Sequence, residues 1–401
     1  MKQIAMAVAL LGLASVALAG DGPRAPVRIY DCPTSDAVSD VAISPDERYL
    51  AEALVAQESP AEVAEPRVVE SIRMLDFRKE CPVSDSKGER ENAGGKATNN
   101  GPRIYGLRFT GDGRMVVFSD GVSLRVLRTD PLSELWNLKI PMRDHLGWFT
   151  DVAVARDAHV AVVLARPVRR RTPNEGPRLV RRPEFQQLFR AYDLDSGAVR
   201  SEVELPRELV AVGLALSPDG SHAAITVASE QVSEFSKTPD LIVIDVAKGA
   251  IVGQFRVHSF GQIAFADNQT VYTLGPTGNG YRRKFKLVDI NTGQVIREIA
   301  EPKDRTLAGL SASADGRYIG SSLWRSEFSI LAEVREGGDF GPDEFYMWNG
   351  ASGELVARVK TAHSGALKLS PTGRFLLSGT RIFEFQLGES QSGPQSIAGS
   401  R

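Results

Sequence analysis

The densest chemistry in this sequence is a run of arginines. Arg166 to Arg182 reads RPVRRRTPNEGPRLVRR, with seven Arg and one Glu. Guanidinium groups match carboxylate and phosphate geometry. Arg169, Arg170 and Arg171 could therefore grip an acidic partner or a lipid headgroup. A second stretch, Ser326 to Glu344, carries six carboxylates against Arg335 alone. Two solvated loops attracting one another is the other reading of this pair. Neutral imidazole is a good metal ligand, and His145, His258 and His363 recur at similar places in the chain. They lack a paired local spacing, so neither a metal nor a cofactor is expected. Cys32 and Cys81 are the two cysteines, each followed by Pro. In an oxidising compartment they can form a disulfide; elsewhere they are two buried thiols. G-x-S-x-G, H-E-x-x-H and G-x-x-x-x-G-K-[ST] are all absent, so no catalytic residue can be named from motifs.

These residues hang on a repeat. An apolar strand, a tight turn and a second strand occur seven times. They are VAISPDERYLAEAL from Val41, LRFTGDGRMVVF from Leu107, VAVARDAHVAVVL from Val152, LALSPDGSHAAITV from Leu214, IAFADNQTVYTL from Ile263, LSASADGRYIGSSL from Leu310 and LKLSPTGRFLLSG from Leu367. Asp-Gly and Thr-Gly between apolar runs are hairpin chemistry, because Gly accepts positive φ. A second unit follows, clearest as FRAYDLDSGAV, LIVIDVAKGAI, FKLVDINTGQV and FYMWNGASGEL. Each repeat thus supplies four short strands, a to d. The pattern predicts an all-β, seven-bladed β-propeller of four-stranded antiparallel blades.

The last repeat has no strand d, and Val27 to Asp31 sits where a strand d belongs, ahead of the first strand a. The N-terminal strand is expected to complete blade 7 and remove an open edge. A Cys32–Cys81 bond would then staple this closure to blade 1. Strand parity places the b–c and d–a loops on one face and the a–b and c–d turns on the other. The insertions are nearly all b–c loops, about 57–70, 166–188, 229–240, 275–284 and 325–344, so binding is expected on that built-up face. The innermost strands carry Ala42, Arg108, Ala153, Ala215, Ala264, Ser311 and Lys368 at equivalent positions. Small residues suit the crowded axis. Arg108 and Lys368 break the rule, either as an internal ion pair or snorkelling stem or as an anion site at the mouth of the channel.

The SPDG and SADG turns and the D-x-x-x-G unit resemble those of WD-repeat (WD40-like) and YVTN-type β-propellers. The likeness spans about residues 27–387, although YD, ID, VD and WN stand in the Trp-Asp place and no YVTN tetrapeptide occurs. It implies the propeller fold and a role as a docking platform. It also implies a structural use for histidines in the d–a loops.

Residues 1–19 read as a signal peptide: Lys2, the apolar run Ile4 to Leu13, then Ala17-Leu18-Ala19. The expected parts are a propeller over 20–390 and a disordered tail over 391–401. Without residues 1–19 the chain has 47 basic and 50 acidic side chains. That near-neutral balance argues against nucleic acid as a partner. No membrane span is expected. The reading is therefore an exported scaffold, secreted or periplasmic, that binds a protein or peptide. The other reading is a propeller enzyme, lactonase-like or a subunit of a periplasmic dehydrogenase, with a central-channel site.

Overall fold

The computed structural model describes residues 23–32, 37–58, 67–81, 83–84, 105–120, 123–140, 147–168, 187–229, 239–259, 261–276, 283–300, 305–307, 309–325, 344–360, 367–378 and 381–387. Alternation of apolar residues with period two makes these segments strands that bury both faces. In strand b of blade 3, Val160, Val162 and Leu164 pack toward blade 4, while Ala161, Val163 and Ala165 pack toward blade 2. Seven apolar clusters result, one at each junction between neighbouring blades, blades 7 and 1 included. The seven sheets form a ring, and the fold is a seven-bladed β-propeller.

Blades 2 to 5 are four-stranded antiparallel sheets in chain order. Blade 2 is typical, with Tyr105–Phe109, Met115–Ser119, Ser123–Thr129 and Leu132–Lys139 as its strands a to d. Blade 6 splits its inner strand into Arg305–Leu307 and Ser311–Ala312. Blades 1 and 7 depart from the repeat. Blade 1 has three strands among the described residues, Ala37–Ile43, Tyr49–Glu58 and Arg67–Asp76. After the third, a single helical turn, Phe77–Glu80, buries Phe77, and Cys81 joins Cys32 in a disulfide. This redirects Val83–Ser84 away from blade 1 onto the sheet of blade 7. In that sheet Leu367–Leu369, Phe375–Ser378 and Arg381–Glu384 are followed by Arg28–Asp31. Arg28 faces Glu384 and Asp31 faces Arg381. Upstream, Arg24 bridges to Ala357 on the outer strand of blade 6.

The b–c connection of blade 1 is shorter than expected. Gln57, Glu58 and Arg67 to Glu70 belong to strands, with Glu58 opposite Arg67. Among the described residues no helix is long and apolar enough to cross a membrane. Residues 1–22 and 388–401, which hold the expected signal and tail, lie outside the described residues.

Candidate functional site

The a–b turns show why the repeat has its sequence. Five of the seven begin with a Ser or Thr whose hydroxyl accepts a backbone N–H five residues on, and blades 3 and 5 have Ala155 and Ala266 there. Met115 N donates to Thr110 Oγ1 at 3.1 Å, and His222 N donates to Ser217 Oγ at 2.9 Å. Tyr318 N and Phe375 N do the same to Ser313 and Ser370, both at 3.0 Å. The hydroxyl then donates to an Asp two places on, at 2.6 Å for Thr110–Asp112 and 2.7 Å for Ser217–Asp219. Gly113, Gly220, Gly316 and Gly373 follow with φ of 70° to 76°. Side-chain closure of this kind satisfies turn groups that would otherwise need water.

Blade 1 breaks this pattern. Glu47 stands where the glycines sit, with φ 55°, and is buried. Blade 7 breaks it too, since Thr372 replaces the Asp. The two departures fit one another. Glu47 Oε1 accepts from Ser370 Oγ at 2.6 Å, from Thr372 N at 3.1 Å and from the Thr372 hydroxyl. Blade 1 thus supplies the carboxylate that the turn of blade 7 lacks.

The inner wall carries the charged cluster. Asp40 lies four residues before its turn, where blades 2 and 4 have Gly106 and Gly213. Its Oδ1 accepts from Val41 N at 2.9 Å and from the Lys368 ammonium, and its Oδ2 accepts from Leu107 N at 2.8 Å. One carboxylate therefore ties blades 7, 1 and 2. Lys368 Nζ donates also to Val41 O at 2.9 Å. Burial pushes the Asp40 carboxyl up, but the charges of Lys368 and Arg108 and the hydrogen bonds outweigh it, leaving it below the usual range. Burial and the neighbouring Arg108 charge push Lys368 down to about 8, against the pull of Asp40 and Asp151. Arg108 is half-buried, and its Nη1 donates to Leu107 O at 2.8 Å. Ala42, Ala153 and Ala215, at the equivalent positions of blades 1, 3 and 4, are buried.

At the end of the channel beside the a–b turns, an arginine reaches across. Arg156 of blade 3 donates through Nη1 to Ala314 O of blade 6 at 2.7 Å. Asp157 holds the rest of the guanidinium at 2.8 and 2.7 Å. Nearby, His159 bridges blades 2 and 3, with Nδ1 2.7 Å from Asp195 and Nε2 3.2 Å from Asp112. The Asp195 hydrogen bond, more than its charge or that of Asp112, pushes the imidazole pKa up against burial.

His258 is exposed, and its backbone is left-handed, φ 52°. The carbonyls of Val257 and His258 accept from the buried Lys286 ammonium at 2.7 and 3.0 Å. Its role in this loop is thus carried by the backbone. Among the described residues no three His, Cys, Asp or Glu side chains are placed to hold a metal. His145, His363, Arg169, Arg170 and Arg171 lie outside the described residues, as do the central parts of the b–c loops. Sequence reasoning missed Asp40, Glu47 and Arg156. The signal for Glu47 was present, as SPDE against SPDG. The partners of Asp40 and Arg156 are tertiary and have no local signature.

No family model matches the chain, and no curated protein matches its sequence. Among solved structures it is similar to the Myceliophteria thermophila Cps50 (Swd1) β-propeller domain. The identity is 12% over 88% of this chain and 98% of that one, with a TM-score of 0.55. It is also similar to an oligogalacturonate lyase in complex with manganese. There the identity is 13% over 89% of this chain and 90% of that one, with a TM-score of 0.54. At such identities the likeness is one of fold, which does not carry function with it.

Proposed function

We propose that this propeller is an exported, non-enzymatic docking module that binds a protein or peptide on the face built from the b–c and d–a loops. The observation that supports the face is the state of the opposite one. There the polar groups of the a–b turns bond within the ring, and Arg156 is drawn across the axis to Ala314. A surface whose polar groups are already paired has few donors to offer a partner. Strand parity assigns nearly all the long insertions to b–c loops, on the other face, and one of them carries Arg169, Arg170 and Arg171 in its sequence, residues suited to carboxylates. The signal-like residues 1–19 support export.

Photo-crosslinking tests this reading. A benzophenone side chain at Arg170 is expected to give a discrete adduct with an extracytoplasmic protein. The same group at Thr292 or Ser352, in c–d turns, is expected to give none. Adducts from the turn positions alone would contradict the proposal.

The second reading, a propeller enzyme with a central-channel site, draws on Lys368. A lysine lowered to about 8 on the channel wall is a group that could take up or release a proton near neutral pH. The oligogalacturonate lyase shares the fold and is an enzyme by its name. Lys368 nonetheless gives its bonds to Asp40 and Val41, which favours the docking reading.

A further inference from the structure

We propose that the central channel holds a binding site for a single carboxylate group, with the Arg108 guanidinium as its principal contact. Arg108 occupies a position where blades 1, 3, 4 and 5 have alanine and blade 6 has serine. The side chains at the equivalent positions of those five blades are small. The guanidinium has five N–H donors. One of them meets Leu107 O, the carbonyl of the adjacent residue. Among the described residues no carboxylate forms an ion pair with Arg108, and no acceptor meets its Nε or Nη2. Five other strand arginines have such partners: Arg73 with Glu52, Arg125 with Glu134, Arg190 with Glu202, Arg358 with Glu344 and Arg374 with Glu384, while Arg297 donates to a carbonyl, Gly350 O.

A half-buried cation whose Nε and Nη2 meet no acceptor among the described residues suits an anionic ligand, since burial strengthens its attraction and planar N–H pairs fit two oxygens. The neighbouring charges restrict the class. Lys368 is 21% exposed and already bound to the carboxylate of Asp40. The carboxylates of Asp40 and Asp151 share this charge cluster with Arg108 and Lys368, so among the described residues there is no excess of cations to balance a doubly charged phosphate. Arg156 reaches across the turn end of the channel, so the group enters from the loop face. This site goes beyond the docking reading, and it would stand were no protein partner found there.

The test uses trifluoroacetate as a ¹⁹F NMR probe with the full chain. Its line is expected to broaden saturably and to sharpen again with excess acetate, and much less with phosphate at equal ionic strength. Arg108→Gln is expected to weaken the broadening about tenfold, a loss in the range of one charged hydrogen-bond pair. Arg156→Gln is expected to leave it in place. Arg108→Ala, the residue that four other blades carry, serves if the Gln variant does not fold. Equal broadening by either folded Arg108 variant would overturn the proposal, as would displacement by phosphate as effective as that by acetate.

Discussion

A chain begun at residue 33 is expected to melt about 10–15 °C below the full-length protein by circular dichroism. Three losses combine in it. Arg28–Asp31 no longer pairs with Arg381–Glu384, so the outer strand of blade 7 is gone. Tyr30 goes with it, a buried ring set edge-on to Phe77 at 5.5 Å and donating to Glu384 at 3.0 Å. Removing a buried aromatic of this kind costs about 3–5 kcal/mol. The Cys32–Cys81 bond also disappears, and it closes a loop with a sequence separation of 49. Chain-entropy reasoning puts that constraint at about 4 kcal/mol. The terms share neighbours and do not add in full, yet together they are a large fraction of an ordinary folding free energy. Changing both cysteines to serine in the full-length chain isolates the last term and should give the smaller shift. An unchanged melting temperature in the shortened chain would mean that the strand contributes nothing to the ring.

Glu47→Gly is expected to destabilise by about 2 kcal/mol, even though it removes backbone strain. A left-handed conformation costs a residue with a Cβ about 1–2 kcal/mol relative to glycine. On local grounds alone the substitution should stabilise, since it restores the residue found in four other turns. Against this stand the bonds from Ser370 and Thr372 to the Glu47 carboxylate. Hydrogen bonds to a charged group contribute about 1.5–3 kcal/mol each, and the buried Ser370 hydroxyl would be left without its acceptor. The cross-blade bonds are therefore expected to win. Thr372→Asp placed on top of Glu47→Gly gives blade 7 the carboxylate that the other turns contain, and should recover most of the loss. Urea melts of the two variants settle the order of effects. A more stable single variant would show that strain, and not the joint between blades 7 and 1, dominates at this position.

These two sites mark where legibility in the sequence stopped. The seven turns were readable because each is closed by residues within five positions, such as Thr110 with Asp112 and Met115. Strand parity was readable because the side-chain period is two. The place of Val27 to Asp31 could be inferred from the missing strand d, since an incomplete repeat at one end matches a surplus strand at the other. The path after blade 1 could not. Nothing in the run from Phe77 to Ser84 signals that its last two residues leave their own blade for the sheet of blade 7. Arg108 and Lys368 stood out in sequence as misfits among small residues, and the structure sorts them. Lys368 is an internal partner of Asp40, while Arg108 has no carboxylate bound among the described residues. That division depends on Asp40 lying between blades 7 and 2, a tertiary fact without a local trace. The arginine-rich loop was visible as composition, and composition alone assigns its charge and not its placement.

The joint between blades 7 and 1 carries the whole account, because the faces, the channel and its charged cluster are all defined by it. Native-state hydrogen exchange read by mass spectrometry tests that joint most directly. The amides of residues 28–31 and 381–384 are expected to be protected to the same degree as those of Ala223 to Val227 in blade 4 and to open with them at the global unfolding free energy. Exchange of residues 28–31 within seconds, with blade 4 still protected, would contradict it.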